Sequence, residues 1–225
     1  MRKEKRAKEN KTRIKPITKL ILCLVVVLVI VGGFVVYDKF IKPSNNKVKV
    51  VDSIKNEDVD YVVNENDTKL FKDNFNELKK VLNAKEIDNE EYAKVLAKLF
   101  VIDFFTLSNK TSKNDVGGVQ FVFESYKKDF VDGARDSMYK QVKSTVSDEN
   151  ANKSLPTVSK IKVDTIDTVS PFSMFETGGF TEDQVGYIVN ISWNYKNDDE
   201  FQSNATLIIV PDGTKLSVAK MQEAM

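Results

Sequence analysis

From Leu20 to Tyr37 the chain reads LILCLVVVLVIVGGFVVY, 18 residues without a charge. As a helix this run rises about 27 Å, close to the roughly 30 Å thickness of a bilayer's hydrocarbon core. It predicts one uncleaved membrane span. A secretory signal peptide has a shorter apolar region, about 7–15 residues, followed by a small-residue cleavage site, whereas this run ends in Val35, Val36 and Tyr37.

The pattern then changes three times. Residues 38–67 are rich in Asn, Asp and Lys, carry Pro43 and keep no 3.6-residue period, so they read as a stalk with strand-like pieces at KVKVV and DYVV. From Phe71 the apolar positions Phe71, Phe75, Leu78 and Leu82 mark one helix face and predict a helix over about 68–83. A second helix starts after Asp88, which with Glu91 makes a capping box, while Ile87 is placed to staple onto Tyr92. Its apolar face is Tyr92, Leu96, Leu99, Phe100 and Leu107. Gly117-Gly118 interrupts the chain and VQFVF (119–123) reads as extended. Tyr126, Phe130, Ala134, Met138 and Val142, each four apart, predict a third helix over about 124–147, which Gly133 weakens by about 1 kcal/mol relative to Ala.

After residue 156 the period becomes two. KIKVDTI (160–166) partly alternates, and Val185, Tyr187, Val189, Ile191, Trp193 and Tyr195 share one face of QVGYIVNISWNYK (184–196). Asn197-Asp198-Asp199 turns into ATLIIV (205–210), and Asp212-Gly213 turns again into KLSVAKM (215–221). Residues 68–225 therefore form one α+β domain, three helices followed by an antiparallel meander, with enough chain for a single core.

Charge orients this layout. Residues 1–19 hold nine Lys/Arg against two acids, net +7, while the rest of the chain holds 25 basic and 31 acidic residues, net −6. Only five lysines follow within twenty residues of the apolar run. The positive-inside rule places residues 1–19 in the cytoplasm as a basic arm suited to anionic headgroups, and residues 38–225 outside. An acidic domain repels phosphate, so its bulk is no nucleic-acid binder. Lys far outnumbers Arg, which occurs only at positions 2, 6, 13 and 135, and Asn and Ile are abundant, as in an AT-rich bacterial genome. An exported domain without disulfides fits such a cell, and the expected location is the bacterial cell membrane.

The chemistry on offer is sparse. The chain has no His and a single Cys, Cys23, inside the apolar run, so the commonest acid/base and metal ligand is missing and no intrachain disulfide or Cys-based zinc site can form. Asp103 is the anomaly, a carboxylate on the helix face that carries Leu96, Leu99 and Leu107. It is either a base in a pocket between helix and sheet or a structural partner for a backbone N–H or a cation. Asp198-Asp199-Glu200 lacks the spacing of a calcium loop and reads as a solvated tip. Ser125 to Lys128 and Ser217 to Lys220 match S-x-x-K without the companion motifs of penicillin-interacting enzymes. The loop 170–183 carries Phe172, Met174, Phe175 and Phe180, either a cover for the sheet or a contact site for another protein. No cofactor or metal is expected.

A short basic tail, one span, a stalk, then helices followed by an antiparallel sheet: this order resembles the bitopic scaffold proteins of type IV secretion and conjugation machines, whose exported domain has the nuclear-transport-factor-2-like cone fold. The resemblance implies three helices on a curved sheet, no enzymatic activity, self-association, and contacts with other envelope proteins. The alternative is a ligand-binding or enzymatic domain that uses the cone's pocket, with Asp103 as acid or base.

Overall fold

The computed structural model describes residues 48–55, 59–175, 180–196 and 201–222. The arm 1–19, the apolar run 20–37, the first part of the stalk and the acidic turn Asp198-Asp199-Glu200 lie outside the described residues. No helix among the described residues is long and apolar enough to cross a membrane.

An antiparallel hairpin, β1 (Val50–Lys55) and β2 (Asp60–Asn64), opens the compact unit that begins at Asn46. The reading of a stalk to residue 67 differs here. Val59, Tyr61 and Val63 alternate into the core, so this stretch is held by apolar burial instead of being solvated on all sides. Asp67 closes the exit from the hairpin, where its carboxylate accepts from the Asn64 N–H at 2.6 Å.

Helix α1 (Lys69–Leu82) is capped by Thr68, whose hydroxyl accepts from the Phe71 N–H, and it ends with Lys79 and Lys80 where cations suit the helix dipole. Helix α2 (Asn89–Phe105) is capped by Asp88, which accepts from the N–H groups of Glu90 and Glu91. Ile87 does not staple onto Tyr92: it stays exposed, while Tyr92 turns inward to hydrogen-bond Tyr61 at 2.9 Å. The predicted face of α2 is buried, but so are Ala93, Val95, Ala97, Val101, Ile102, Phe104 and Phe105. The reason is a second covering layer, since α1 lies on one side of α2 and the sheet on the other.

Two expectations fail between residues 119 and 147. Val119–Phe121 is a 3-10 turn, and only Val122 is extended, bridging in parallel to Val218. The third helix is broken into a 3-10 turn (Glu124–Tyr126), helix α3 (Lys127–Asp136) and another 3-10 turn (Met138–Gln141). At the break the Ser137 hydroxyl donates to the Gly133 carbonyl at 2.7 Å, and the chain rotates so that Tyr139 is fully buried while Met138 packs against the core only partly buried. A fourth helix, α4 (Pro171–Met174), is a single turn.

The main sheet is antiparallel in the order β3 (Val158–Val169), β4 (Gly186–Tyr195), β5 (Asn204–Asp212) and β6 (Lys215–Gln222). Residue Val185, read as the start of the inward face, precedes β4 and is exposed. Helix α2 packs across all four strands, and Phe105 sets its ring against Trp193 with centroids 4.5 Å apart. Strand β5 is buried on both faces. Ala205, Leu207 and Ile209 join the main core, whereas Ile208 and Val210 belong to a second, smaller cluster on the opposite face.

Candidate functional site

Two places bring chemistry-bearing side chains together. The first is built around the C-terminal turn of α2. Asp103 points out of the apolar face, and one Oδ accepts from the Lys110 ammonium at 2.5 Å while the other accepts from the Gly118 N–H at 2.7 Å. Lys110 is only 5% exposed. It is held there because Asn152, itself buried, donates to the carbonyls of Lys110 and Lys143 and accepts from the Lys143 N–H.

Glycine makes the close approach possible. A Cβ on Gly117 would lie 2.1 Å from the Asp103 carbonyl oxygen, and Gly118 has φ +78° with the Phe100 ring 3.0 Å from where its Cβ would be. The Gly117 N–H donates to the Tyr139 hydroxyl at 2.9 Å, and that hydroxyl donates to the Phe104 carbonyl at 2.8 Å. Thus the doublet that breaks the hydrophobic pattern is the strap that crosses the end of α2.

Burial alone would lower the Lys110 pKa, but the charges of Asp103, Tyr139 and Asp115 and the hydrogen bond to Asp103 outweigh it, so the ammonium is held charged more firmly than an ordinary lysine. Burial likewise pushes the Tyr139 hydroxyl up. A cleft of about 160 Å³ opens beside the pair, lined among others by Asp67, Asp103, Lys110, Asp115 and Gln120. Desolvation raises Asp67 to about 6; the Asn64 N–H works against this, and the Asp103 charge adds to it. The polar side chains of the cleft are engaged within the fold. Asp115 accepts from the Thr111 N–H and hydroxyl, and Gln120 exchanges two hydrogen bonds with the Val62 backbone, extending the edge of β2. Among the described residues no group of His, Cys, Asp and Glu side chains could hold a metal ion.

The second place is the aromatic loop. Pro171, buried at the start of α4, would have its Cγ 3.0 Å from a Cβ on Gly186, so the loop lands where the strand has no side chain. The rings of Phe175 and Phe180 lie tilted to one another with centroids 5.8 Å apart, and the Phe180 centroid lies 5.7 Å from that of Phe123. These rings pack over Ile208 and Val210 and form the second cluster. Phe172 and Met174 point the other way, 52% and 40% exposed. The four residues singled out in the sequence therefore divide into two anchors and two exposed groups.

The S-x-x-K matches come to rest elsewhere. Lys128 pairs with Asp132 at 2.8 Å, and buried Ser217 donates to Asp212 while Lys220 is exposed. The sequence reading did not identify Lys110 and Tyr139, the partners of the α2 terminus. The Gly117-Gly118 doublet was the available signal, since adjacent glycines mark close backbone approach as well as a break. No family model, curated protein or solved structure matches the chain.

Proposed function

We propose that the chain is a single-pass bacterial membrane protein whose N-terminal arm lies in the cytoplasm and whose extracytoplasmic α+β domain binds other envelope proteins without catalysing a reaction. The assembly it serves is of the conjugation or type IV secretion kind, and its domain is of the nuclear-transport-factor-2-like class. The uncharged run 20–37 and the net charge of +7 before it support the topology. Helices packed on one face of a four-stranded antiparallel sheet are compatible with the fold class.

The observation that carries the binding role is the exposure of Phe172 and Met174 on a turn whose neighbours are anchored. Large apolar groups held outward by a rigid support lose little conformational entropy on binding, which is what partner surfaces use. The competing reading, with Asp103 as acid or base, is weakened because both its carboxylate oxygens are already bonded, one to Lys110 and one to Gly118.

A photo-crosslinking residue at position 172 of the full chain, activated in intact cells, tests the role. A discrete adduct with an envelope protein is expected, and its loss on Met174→Asp would locate the contact. Labelling only with lipid or solvent would sink the idea. Exposed Val146→Cys, labelled on intact cells by a membrane-impermeant maleimide in a Cys23→Ser background, tests the topology separately.

A further inference from the structure

Strand β3 is the open edge of the main sheet: it pairs with β4 on one side, and no other described strand lies along it. It is also the longest of the described strands, 12 residues. An edge of that length presents a row of unpaired N–H and C=O groups and is a template for another strand.

A β-bulge divides its pattern. Val163 faces Ile191 and Thr165 faces Asn190 on β4, leaving Asp164 without an opposite residue. The alternation therefore slips by one across Asp164. Ile161, Val163 and Ile166 all pack toward the main core, each only partly buried, while Lys160, Lys162, Thr165 and Asp167 face outward and are exposed.

Two copies of β3 placed side by side, antiparallel, must set inward residues against inward and outward against outward. Because of the slip, a symmetric pair centred between Val163 and Asp164 satisfies this at every position except the two at the axis, where Val163 faces the bulged Asp164. It opposes Lys160 to Asp167, Ile161 to Ile166 and Lys162 to Thr165, each pairing occurring twice. A shift by two residues also keeps the faces matched, but sets Lys160 against Val169 and takes Lys162 to Asp167, away from the Asp164 carboxylate it holds at 2.8 Å. The first register keeps that ion pair, so the bulge residue's charge stays neutralised at the symmetry axis.

We infer that the partner of this edge is a second copy of the chain, joined through antiparallel β3–β3 pairing in the Lys160-to-Asp167 register. Opposite charges and matched isoleucines at facing positions stabilise such a pair, and the half-buried Ile161, Val163 and Ile166 lose their remaining contact with water. The inference goes beyond the aromatic loop and stands whether or not that loop binds another protein.

The test uses the full chain in native membranes, in a Cys23→Ser background, with mild oxidation. Ile161→Cys together with Ile166→Cys places facing thiols in the dimer and keeps the ion pair between Lys162 and Asp164. Within one chain these positions are about 15 Å apart along the strand, too far for a disulfide. A covalent dimer is expected at roughly ten times the yield of Val146→Cys, which reports random collision. Adding Asp167→Lys turns two attractive contacts into repulsive ones and should lower the yield roughly tenfold, and Lys160→Asp on top should restore it. Phe172→Asp should leave it unchanged. A yield no greater than that of Val146→Cys, cross-linking through Ile161→Cys and Thr168→Cys instead, or failure of the charge reversal to rescue, would each overturn the pairing.

Discussion

Replacing Lys110 by Met tests the central physical claim about the α2 terminus. At 2.5 Å and an effective dielectric constant of about 20, the gross attraction between Lys110 and Asp103 is on the order of 7 kcal/mol, most of it offset by desolvating both groups. The net value of the pair is therefore small, yet removing one partner is costly because the other stays buried. The Asp103 side chain is 14% exposed and would keep only the Gly118 N–H. Breaking such a pair costs about 3–5 kcal/mol, and since Asp103 retains one donor the lower end is expected. Urea unfolding of the chain from Asn46 onward, followed by the fluorescence of its only Trp, Trp193, measures this directly. In a domain of this size the loss lowers Tm by roughly 6–20 °C. The decisive variant is Lys110→Met with Asp103→Asn, which removes both charges but keeps an acceptor for Gly118. It should recover most of the lost stability. A Lys110→Met protein within about 1 kcal/mol of wild type, or a double variant no better than the single, would refute the reasoning.

Further expectations concern single sites. Asp67 is raised to about 6 by desolvation, so between its ordinary value of 3.8 and about 6 the folded chain binds more protons than the unfolded one, and its contribution to stability falls as pH rises through that window. Asp67→Asn, which can still accept from Asn64, should raise stability at pH 7 by at most about 3 kcal/mol and lose most of that advantage near pH 4, as urea midpoints at the two pH values would show. Gly133→Ala has open space for its Cβ and should stabilise α3 by about 0.5–1 kcal/mol in the same assay. Gly117→Ala should leave the chain largely unfolded by circular dichroism, because its Cβ would collide with backbone. Phe180→Ala should cost about 3 kcal/mol by removing a buried ring, whereas Phe172→Asp should change stability by less than about 0.5 kcal/mol.

Helices α1 and α2 and strands β4 to β6 were legible because their signals are local. A capping residue, a 3.6-residue apolar period or a strict alternation needs no knowledge of distant residues. Hairpin β1–β2 was not legible as part of the domain, since three of its four exposed outer positions in β1 are flanked by charge and its buried set, Val59, Tyr61 and Val63, is too short to separate from a linker with strand-like pieces. The break at Ser137 depends on what Tyr139 reaches, the Phe104 carbonyl and the Gly117 N–H, and both are distant in sequence. Asp103 stood out as a carboxylate on an apolar face. Its partner Lys110 did not, because the pair forms only after the chain turns back past the end of α2. For the aromatic loop, composition identified the cluster, but which rings go down is decided by the landing of Pro171 on Gly186.

The order in which β1 and β2 are joined has a mechanical consequence. Val50 faces Asn64 at the open end of the hairpin, so tension arriving from the N-terminal side of residue 48 loads the hydrogen bonds one after another, as a zipper opens, instead of all together. Beyond its pairing with β2, strand β1 is held by the partly buried Ile54 and a partly exposed ion pair of Asp52 with Lys79, whereas β2 is fastened by Tyr61 to Tyr92 and by Val62 to Gln120. A modest pull would therefore strip β1 and lengthen the tether by several residues while β2, α2 and the sheet stay folded. If the chain is anchored as proposed, the hairpin is a mechanical fuse in series with the domain, and its yielding sets how far the domain reaches before its core feels any force.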